Sequence, residues 1–223
     1  MEERKTIKFK KDEFSMRERV KNEIGKGKVS KVKIEYTPVG EKITISTHKP
    51  GLVIGRGGEK INELTTILKK EFSLENPHIE IDEILYPELD AQLVADDIAL
   101  GLERFGPLKF KVLAYRALQR IMKAGALGTE IRLSGKLPSS RARTWRFAQG
   151  YLKKTGDSAK VVDRAQSTAQ TKPGVVGIKV SILKPDAVLK DRIKIDEKLL
   201  EKIKSNIEEM ENPIKKTKKR SSK

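Results

Sequence analysis

Cysteine is absent from this chain of 223 residues, so disulfide bonds, thiolate catalysis and cysteine-based zinc sites are all excluded. Histidine is scarce as well, because His48 and His78 are the only two and lie far apart in the sequence. Each falls at the end of a predicted strand, where an ordinary polar role explains it better than a poor metal site shared with carboxylates. We therefore expect no metal site.

Long apolar runs are also missing. No stretch approaches the ~20 consecutive apolar residues that a transmembrane helix requires, and the N-terminal sequence MEERKTIKFKKDEF has no apolar core like that of a signal peptide. Together with the lack of cysteine, these absences predict a cytoplasmic protein with no membrane partner. Aromatic residues make up only 5% of the chain, so platforms for stacking bases are scarce.

Positive charge is what the chain has in excess. The formal net charge is +17, which makes a polyanion the default partner, and nucleic acid is favoured over an anionic membrane surface. Residues 105–184 hold 17 Lys/Arg and three acidic residues, and residues 212–223 hold six Lys/Arg and no acid. Residues 1–104, in contrast, hold 19 basic and 20 acidic residues. The cationic surface is therefore predicted in one middle-to-late segment and a tail.

Hydrophobic periodicity predicts a small α+β unit in the first part of the chain. A helix over 12–24 would bury Phe14, Val20 and Ile24, and a second amphipathic helix follows the glycines at 55–58. Alternating apolar residues predict three strands. The strand residues are Val32, Ile34, Tyr36, Ile43, Ile45, Ile79 and Ile81, and those of the second helix are Ile61, Leu64, Ile67, Leu68 and Phe72. The predicted order is helix–strand–strand–helix–turn–helix–strand.

The next part reads as two helices followed by a sheet. Helices are predicted over 88–104 and 108–124, strands around 131–133 and 176–182, and weaker strands over 143–152 and 160–169. This pattern indicates two helices packed on a three- or four-stranded sheet. Asp196 is a candidate cap for a last amphipathic helix, and the final NPIKKTKKRSSK is predicted to be disordered until it meets a phosphate backbone.

The tetrapeptide Gly55-Arg56-Gly57-Gly58 is the most informative motif, because it joins an apolar half-turn to the start of a helix. Glycine permits positive φ and lets the backbone approach a ligand closely, and the free N–H groups of a helix start favour an anion. Arg56 in the turn and Lys60 one turn later add positive charges. These features predict a loop that binds a sugar-phosphate backbone.

Three other interpretations of the glycines compete. The dinucleotide-binding fingerprint fails because Lys60 stands where its last glycine belongs and no βαβ unit surrounds the motif. The Walker phosphate loop fails because no Gly-Lys-Ser/Thr follows a spaced glycine anywhere in the chain. A tight helix–helix turn without a ligand stays open, although the surrounding strand order disfavours it.

Two longer segments carry a resemblance to a known family. VIGRGGEKINEL, between two upstream strands and one downstream strand, resembles a KH module of the second, prokaryotic-type topology. The run IMKAGALGTEIRLSGKLPSSRARTWRF, closing with GVVGIKVSIL, resembles the C-terminal domain of the universal small-subunit ribosomal protein numbered three. SGKL, RARTWRF, TGDS and GVVGIKV fall in that family's order, and the SGKL…TGDS version resembles the archaeal and eukaryotic branch.

The resemblance covers about residues 12–184 and implies an α+β fold of two domains. We expect an N-terminal arm at 1–11, the KH domain at 12–92, the family's C-terminal domain at 93–184, and a helix with a basic tail at 185–223. Members of the family are structural proteins of the small-subunit head. They bind ribosomal RNA, contact neighbouring head proteins and line the channel through which messenger RNA enters.

In that family, cationic residues on the first helix of the second domain contact incoming messenger RNA. The family's basic pair after an aromatic falls on Lys111-Val112, following Phe110, so one of its two charges is absent here. Arg116 and Arg120, one and two turns on, are expected to compensate, because they should lie near Lys109 and Lys111 on the same helix. The role is predicted for the domain, and these four residues are its candidates.

A second group of candidate RNA-binding residues follows the strand at 130–134. Lys136, Arg141, Arg143 and Arg146 are interleaved with hydroxyl side chains, and arginine forks suit phosphate geometry. Trp145 is expected to pack in the core, with stacking on a base as the alternative.

Structural RNA binding by a ribosomal protein is therefore the leading function, with no cofactor and no catalytic residue. The alternatives are a free-standing KH regulator of RNA, which leaves the cationic second domain unexplained, and a nucleic-acid lyase or nuclease, since the family's eukaryotic branch is linked to cleavage at damaged DNA. An enzyme needs a poised lysine or a carboxylate cluster. Asp96 and Asp97 are adjacent on a helix and cannot face one another. Glu80 and Asp82 share a strand face only if the strand is regular there, and an exposed sheet edge explains them equally well.

Overall fold

The computed structural model of the protein describes residues 2–38, 40–72, 74, 76–189, 200 and 203. The predicted helix capped by Asp196 and the basic segment at 212–223 lie outside the described residues, apart from Leu200 and Ile203.

The first half folds around a three-stranded sheet in the predicted order of elements. Its helices are α1 (Glu2–Ile24), α2 (Pro50–Ile54) and α3 (Glu59–Phe72), and its strands are β1 (Val29–Thr37), β2 (Gly40–Thr47) and β3 (His78–Glu83). β1 pairs with β2 antiparallel, and β2 pairs with β3 in parallel. The connection from β2 to β3 is a crossover that contains α2, the glycine turn and α3.

Helix α1 begins at Glu2, so the predicted start at residue 12 was wrong. The first ten residues carry no buried stripe and are rich in Lys, Arg and Glu, which have good helix propensity. Glu2 and Glu3 also lie at the positive end of the helix dipole. Met16, Val20 and Ile24 form the buried stripe at i, i+4 spacing, whereas Phe14 is 65% exposed because it falls outside that spacing.

The first hydrophobic core lies between this sheet and the helices α1 and α3. Ile43 and Ile45 of the central strand β2 are fully buried, and Leu64 and Leu68 of α3 pack with them. The predicted stripe of α3 is thus confirmed at its centre, with Phe72 partly buried at its end. This packing fixes the position at which α3 starts.

The second half consists of two helices on a four-stranded antiparallel sheet, as predicted. The helices are α4 (Ala91–Phe105) and α5 (Phe110–Lys123), and the strands are β4 (Gly128–Gly135), β5 (Arg143–Gly150), β6 (Asp163–Thr171) and β7 (Gly174–Leu183). The strand order is β5-β4-β7-β6. The two weaker strand candidates, β5 and β6, are therefore the edges of the sheet.

The helices α4 and α5 pack on one face of this sheet. Ile131, Leu133, Ile178, Val180 and Ile182 point into the second core, where they pack with Phe110, Ile121 and Leu102. Because side chains alternate along a strand, the intervening residues lie on the opposite face, which is called the outer face below. Arg132, Arg146, Arg164 and Lys179 are among its residues.

Hydrogen bonds join the two halves at the start of α4. The Asp90 carboxylate accepts from the backbone N–H groups of Gln92 and Leu93, which caps α4, and also from Ser30 Oγ of the first half at 2.6 Å. Gly27 N donates to Asp96 Oδ2 at 3.1 Å. The predicted domain boundary after residue 92 falls in the first turn of α4, whose Ala91 belongs to the second core. Among the described helices, none is long and apolar enough to cross a membrane.

Candidate nucleic-acid interface

The glycine turn has a backbone that glycine alone adopts readily. Gly55, Gly57 and Gly58 have φ values of 76°, 60° and 81°, all in the left-handed region. A Cβ at Gly57 or Gly58 would meet no atom within 4 Å. These two residues therefore present bare backbone to open space at the start of α3, where a ligand can approach.

Lys60 lies over the first glycine of the turn. A Cβ at Gly55 would come within 2.9 Å of Lys60 Cγ, so glycine at 55 is what allows the lysine stem to pack there. Arg56 and Lys60 are both exposed. The five predicted residues at 55–58 and 60 are therefore brought together into one exposed cationic loop.

The carboxylates considered for catalysis all form hydrogen bonds or ion pairs with other residues of the fold. Glu80 pairs with Lys42 Nζ at 2.8 Å and Asp82 accepts from Ser46 Oγ at 3.2 Å. Asp96 bonds to the first half, as described above, while Asp97 points to α5. The described residues contain no group of three or more potential metal ligands.

The two histidines lie in different places and do not form a metal site together. His48 lies at the end of β2, where burial and the positive charge of Lys49 lower its pKa. His78 is exposed at the start of β3, with Nε2 3.9 Å from Glu80 Oε1. Neither shares a group of potential ligands with the other among the described residues.

The four predicted cations at α5 fall into two separate places. Lys109 lies over the Phe105 ring at 5.6 Å, and Phe105 lines a groove between α4 and α5 together with Arg104, Arg116 and Arg120. Lys111 points the other way and lies 4.9 Å above the Trp145 ring. The prediction that Arg116 and Arg120 lie near Lys111 was therefore wrong, since α5 turns their side chains toward α4.

Arg120 also has a partner that the sequence did not indicate. Its Nη2 lies 2.5 Å from Asp97 Oδ2 of α4, with both side chains half-exposed. The pair neutralises part of the charge in the α4–α5 groove, so Lys109, Arg104 and Arg116 supply its net positive charge.

The four cations predicted after β4 also lie in two different places. Lys136 and Arg141 are exposed in the loop between β4 and β5, and Arg143, two residues before Trp145, lies on the same face of β5. Trp145 packs beside the core, since its ring centroid lies 5.3 Å from that of Phe110 and its Nε1 donates to Leu137 O. Core packing is thus what the structure favours for Trp145.

Arg146 belongs to a cluster on the outer face that the sequence did not predict. Its Nε lies 2.9 Å from Glu130 Oε1, and Arg132 Nε and Lys154 Nζ reach the same carboxylate at 2.5 Å and 2.6 Å. The Glu130 side chain is only 4% exposed, whereas the three cations are about half-exposed. Burial would raise the pKa of Glu130, but the hydrogen bonds from Lys154, Arg146 and Arg132 outweigh it and lower the pKa to about 2.

Two further cations of the outer face were not predicted either. Lys179 is directly opposite Arg132 in the β4–β7 pairing, and Arg164 is opposite Ser181 in the β6–β7 pairing. The alternation of apolar and polar residues in IRLSG and GIKVSIL contained the signal that Arg132 and Lys179 share a face. The strand order that places them side by side could not be read from the sequence.

Two family models match this chain, one on each half. A model described as KH domain matches residues 15–89, and one described as ribosomal protein S3, C-terminal domain, matches residues 98–182. Small ribosomal subunit protein uS3 of Methanocaldococcus jannaschii is 46% identical over 178 residues, covering 79% of this chain and 85% of that relative.

Two other relatives carry the same name. The protein of Methanosphaera stadtmanae is 43% identical over 165 residues, covering 74% of this chain and 65% of the relative. That of Natronomonas pharaonis is 39% identical over 184 residues, covering 82% of this chain and 59% of the relative. The chain thus spans somewhat less than two thirds of the length of these two proteins. Both matched domains and their relatives agree with the resemblance drawn from the sequence.

Proposed function

The chain belongs to the family of small ribosomal subunit protein uS3, and on that premise we propose that it is a structural constituent of the small ribosomal subunit that binds ribosomal RNA. The observation that carries the proposal is the charge of the second half, with 17 Lys/Arg against three acids over residues 105–184. One of those acids, Glu130, is buried beneath three cations. A ribosomal role implies a cytoplasmic location, which is the location expected from the sequence.

The glycine loop is proposed to make a local contact to RNA. Its bare backbone, the N-terminus of α3 and the exposed Arg56 and Lys60 suit a sugar-phosphate chain. Because the first 104 residues carry nearly equal numbers of acids and bases, this contact depends on shape more than on long-range attraction.

The α4–α5 groove is proposed to face incoming messenger RNA. Lys109, Arg104 and Arg116 provide its charge, and Lys111 lies on the opposite side of α5. The loop residues Lys136, Arg141 and Arg143 are proposed as further RNA contacts. Neighbouring proteins of the subunit head are the proposed partners of the apolar side chains beside the groove, among which Leu108 is 77% exposed.

The ribosomal role is tested by sedimentation and by a salt titration. The tagged chain should migrate with small subunits through a high-salt gradient, and its affinity for ribosomal RNA should fall with a log–log slope of about −0.9 per neutralised duplex phosphate. A flat salt dependence contradicts RNA binding by charge. Loss from the subunit at moderate salt instead favours a free-standing KH regulator.

The loop is tested by adding a negative charge where space allows. Gly57→Asp and Gly58→Asp have room for the side chain, and aspartate tolerates positive φ better than most residues. We expect weaker RNA binding with unchanged circular dichroism. Gly51→Asp is the matched control, since Gly51 is also in open space but at the start of α2. Equal affinity of all three variants and the unsubstituted chain would favour a turn without a ligand.

The expectation that the chain is not an enzyme stays a prediction. It is tested by incubating the purified chain with abasic DNA, with and without magnesium. Cleavage that survives purification and disappears in a lysine-substituted variant would contradict it.

A further inference from the structure

The outer face of the second sheet carries like charges side by side. The pairing of strands sets Arg146, Arg132, Lys179 and Gln166 in one row across β5, β4, β7 and β6. The neighbouring row contains Glu130, Ser181 and Arg164. Like charges directly opposite one another destabilise a sheet unless a counter-charge lies between them, and for Arg132 and Arg146 that counter-charge is Glu130.

Glu130 holds part of this row in a fixed arrangement. Arg132 and Arg146 both direct Nε to its Oε1, and Lys154 directs Nζ to its Oε2. One buried carboxylate thus orients three cations and leaves a net positive charge. Each guanidinium has five N–H donors in a planar fork, so both arginines keep donors for an outside acceptor.

Lys179 and Arg164 add two further positive charges to the outer face, and no carboxylate in the described part of the chain orients them as Glu130 orients the other three. Neither forms an ion pair with any residue that the structure describes. Together with Glu130, Arg132, Lys154 and Ser181, they line a groove of about 470 Å³. A second groove of about 530 Å³ lies between the end of α1 and the same face, and it shares Gln166 and Lys179 with the first. The two grooves therefore adjoin along the outer face.

The chemistry of this surface suits phosphates and not bases. Arginine forks and lysine ammonium groups bind phosphate oxygens, and serine, threonine and glutamine add neutral donors. The four strands, all of whose residues are described, carry no aromatic side chain on this face. A sheet that reads RNA bases presents aromatic rings for stacking, so recognition here is restricted to the backbone.

We propose that the outer face of the β5-β4-β7-β6 sheet binds the sugar-phosphate backbone of RNA, and that Glu130 is a positioning residue that orients Arg132, Arg146 and Lys154 toward the phosphates. The proposal rests on the RNA-binding function proposed above and assigns that function to a surface beyond the glycine loop and the α4–α5 groove.

The decisive variant is Glu130→Gln, because charge and orientation predict opposite results for it. The full chain, Glu130→Gln and the exposed-site control Asp186→Asn are compared for binding to an RNA duplex of about 20 base pairs across a salt series. Both substitutions make the net charge more positive by one. We expect Glu130→Gln to lower the affinity about tenfold, because three side chains are no longer held in a fixed orientation. Its log–log salt slope should fall by about one for each phosphate that is no longer neutralised, and Asp186→Asn should show neither change.

Equal or tighter binding by Glu130→Gln would overturn the positioning role. Circular dichroism verifies that the variant is folded, and Glu130→Asp, which keeps the carboxylate, should recover part of the affinity. Displacement of the duplex by inorganic phosphate well below the chloride concentration needed for the same effect would mean that the face binds single phosphate ions, which also overturns the proposal.

The role of the outer face is tested with variants in which Glu130 is unchanged. Arg164→Ala with Lys179→Ala removes two charges from the outer face, and Lys8→Ala with Lys33→Ala removes two exposed charges elsewhere. We expect the first pair to weaken binding at least tenfold more than the second. Equal effects of the two pairs would mean that net charge alone matters, and the outer face would not be the site.

The absence of cysteine permits a direct check of location. An iron chelate that generates hydroxyl radicals is attached at Thr168→Cys on the outer face or at Ser15→Cys on α1. Cleavage of the duplex should be strong from the first position and weak from the second, and the reverse pattern would contradict the proposal. If the unsubstituted chain fails to bind RNA at all, the proposed function fails. If it binds and the outer-face variants behave like their controls, only the present inference fails.

Discussion

The substitution Glu130→Gln should also lower the stability of the folded chain in a pH-dependent way. The folded pKa is about 2 and the ordinary value is 4.5, which corresponds to about 3 kcal/mol at 1.36 kcal/mol per pKa unit. Because the three cations around Glu130 are half-exposed, screening by solvent should leave roughly 1–2 kcal/mol at neutral pH. Such a decrease leaves a domain of ordinary stability folded.

The direction of the pH dependence follows from the lowered pKa. Ionised Glu130 contributes its full stabilisation above the unfolded value of 4.5, and the contribution is lost as the pH falls through the folded value of about 2. Urea unfolding of both proteins at a series of pH values measures the difference in the free energy of unfolding. The gap should be widest and constant above about pH 5 and should close toward about pH 2.

Two results would refute this reasoning. A gap of the same size at every pH would mean that glutamine is disfavoured by packing and not by the removal of charge. Identical unfolding of the two proteins at neutral pH would mean that the three cations do not stabilise the carboxylate. Asp186→Asn, at an exposed position, is the control for the removal of one negative charge.

Three other substitutions test a helix cap, a close backbone contact and the packing of a lysine on a ring. Asp90→Ala should cost about 2 kcal/mol in urea unfolding, since it removes the cap of α4 and a buried acceptor; an unchanged midpoint would contradict this. Gly128→Ala should abolish folding at ordinary temperature by circular dichroism, because the added Cβ would overlap the Tyr151 carbonyl. Lys111→Met should cost under about 1 kcal/mol and change the fluorescence of Trp145, the one tryptophan of the chain; an unchanged emission spectrum would contradict the packing of the lysine on the ring.

Much of the fold could be predicted because its elements carry strong local signals. Apolar periodicity predicted α3, and the glycines with positive φ marked the turn before it. The first ten residues of α1 could not be found in this way, because they bury little and their helix is stabilised by propensity and by interactions between charged side chains. One such interaction joins Lys10 Nζ to Glu13 Oε2 at 2.9 Å.

The arrangement of the cations was less predictable, since it depends on how elements pack. Whether Arg120 faced RNA or Asp97 depended on which side of α4 meets α5, and no local pattern specifies that side. Glu130 was counted as one of three acids in a basic segment, yet its importance lies in the neighbours that β5 and the following loop bring to it. Residues 128–135 alone contain only one of its three partners.

The parallel pairing of β2 with β3 has a consequence for the order in which the first half folds. β1 and β2 are joined by a short turn and can pair locally, but β3 can pair with β2 only across the long connection that contains α2, the glycine loop and α3. The glycine loop lies inside that crossover, so its ends are fixed only when the sheet closes. During synthesis, a nascent chain should therefore complete this loop only after Glu83 has left the exit tunnel.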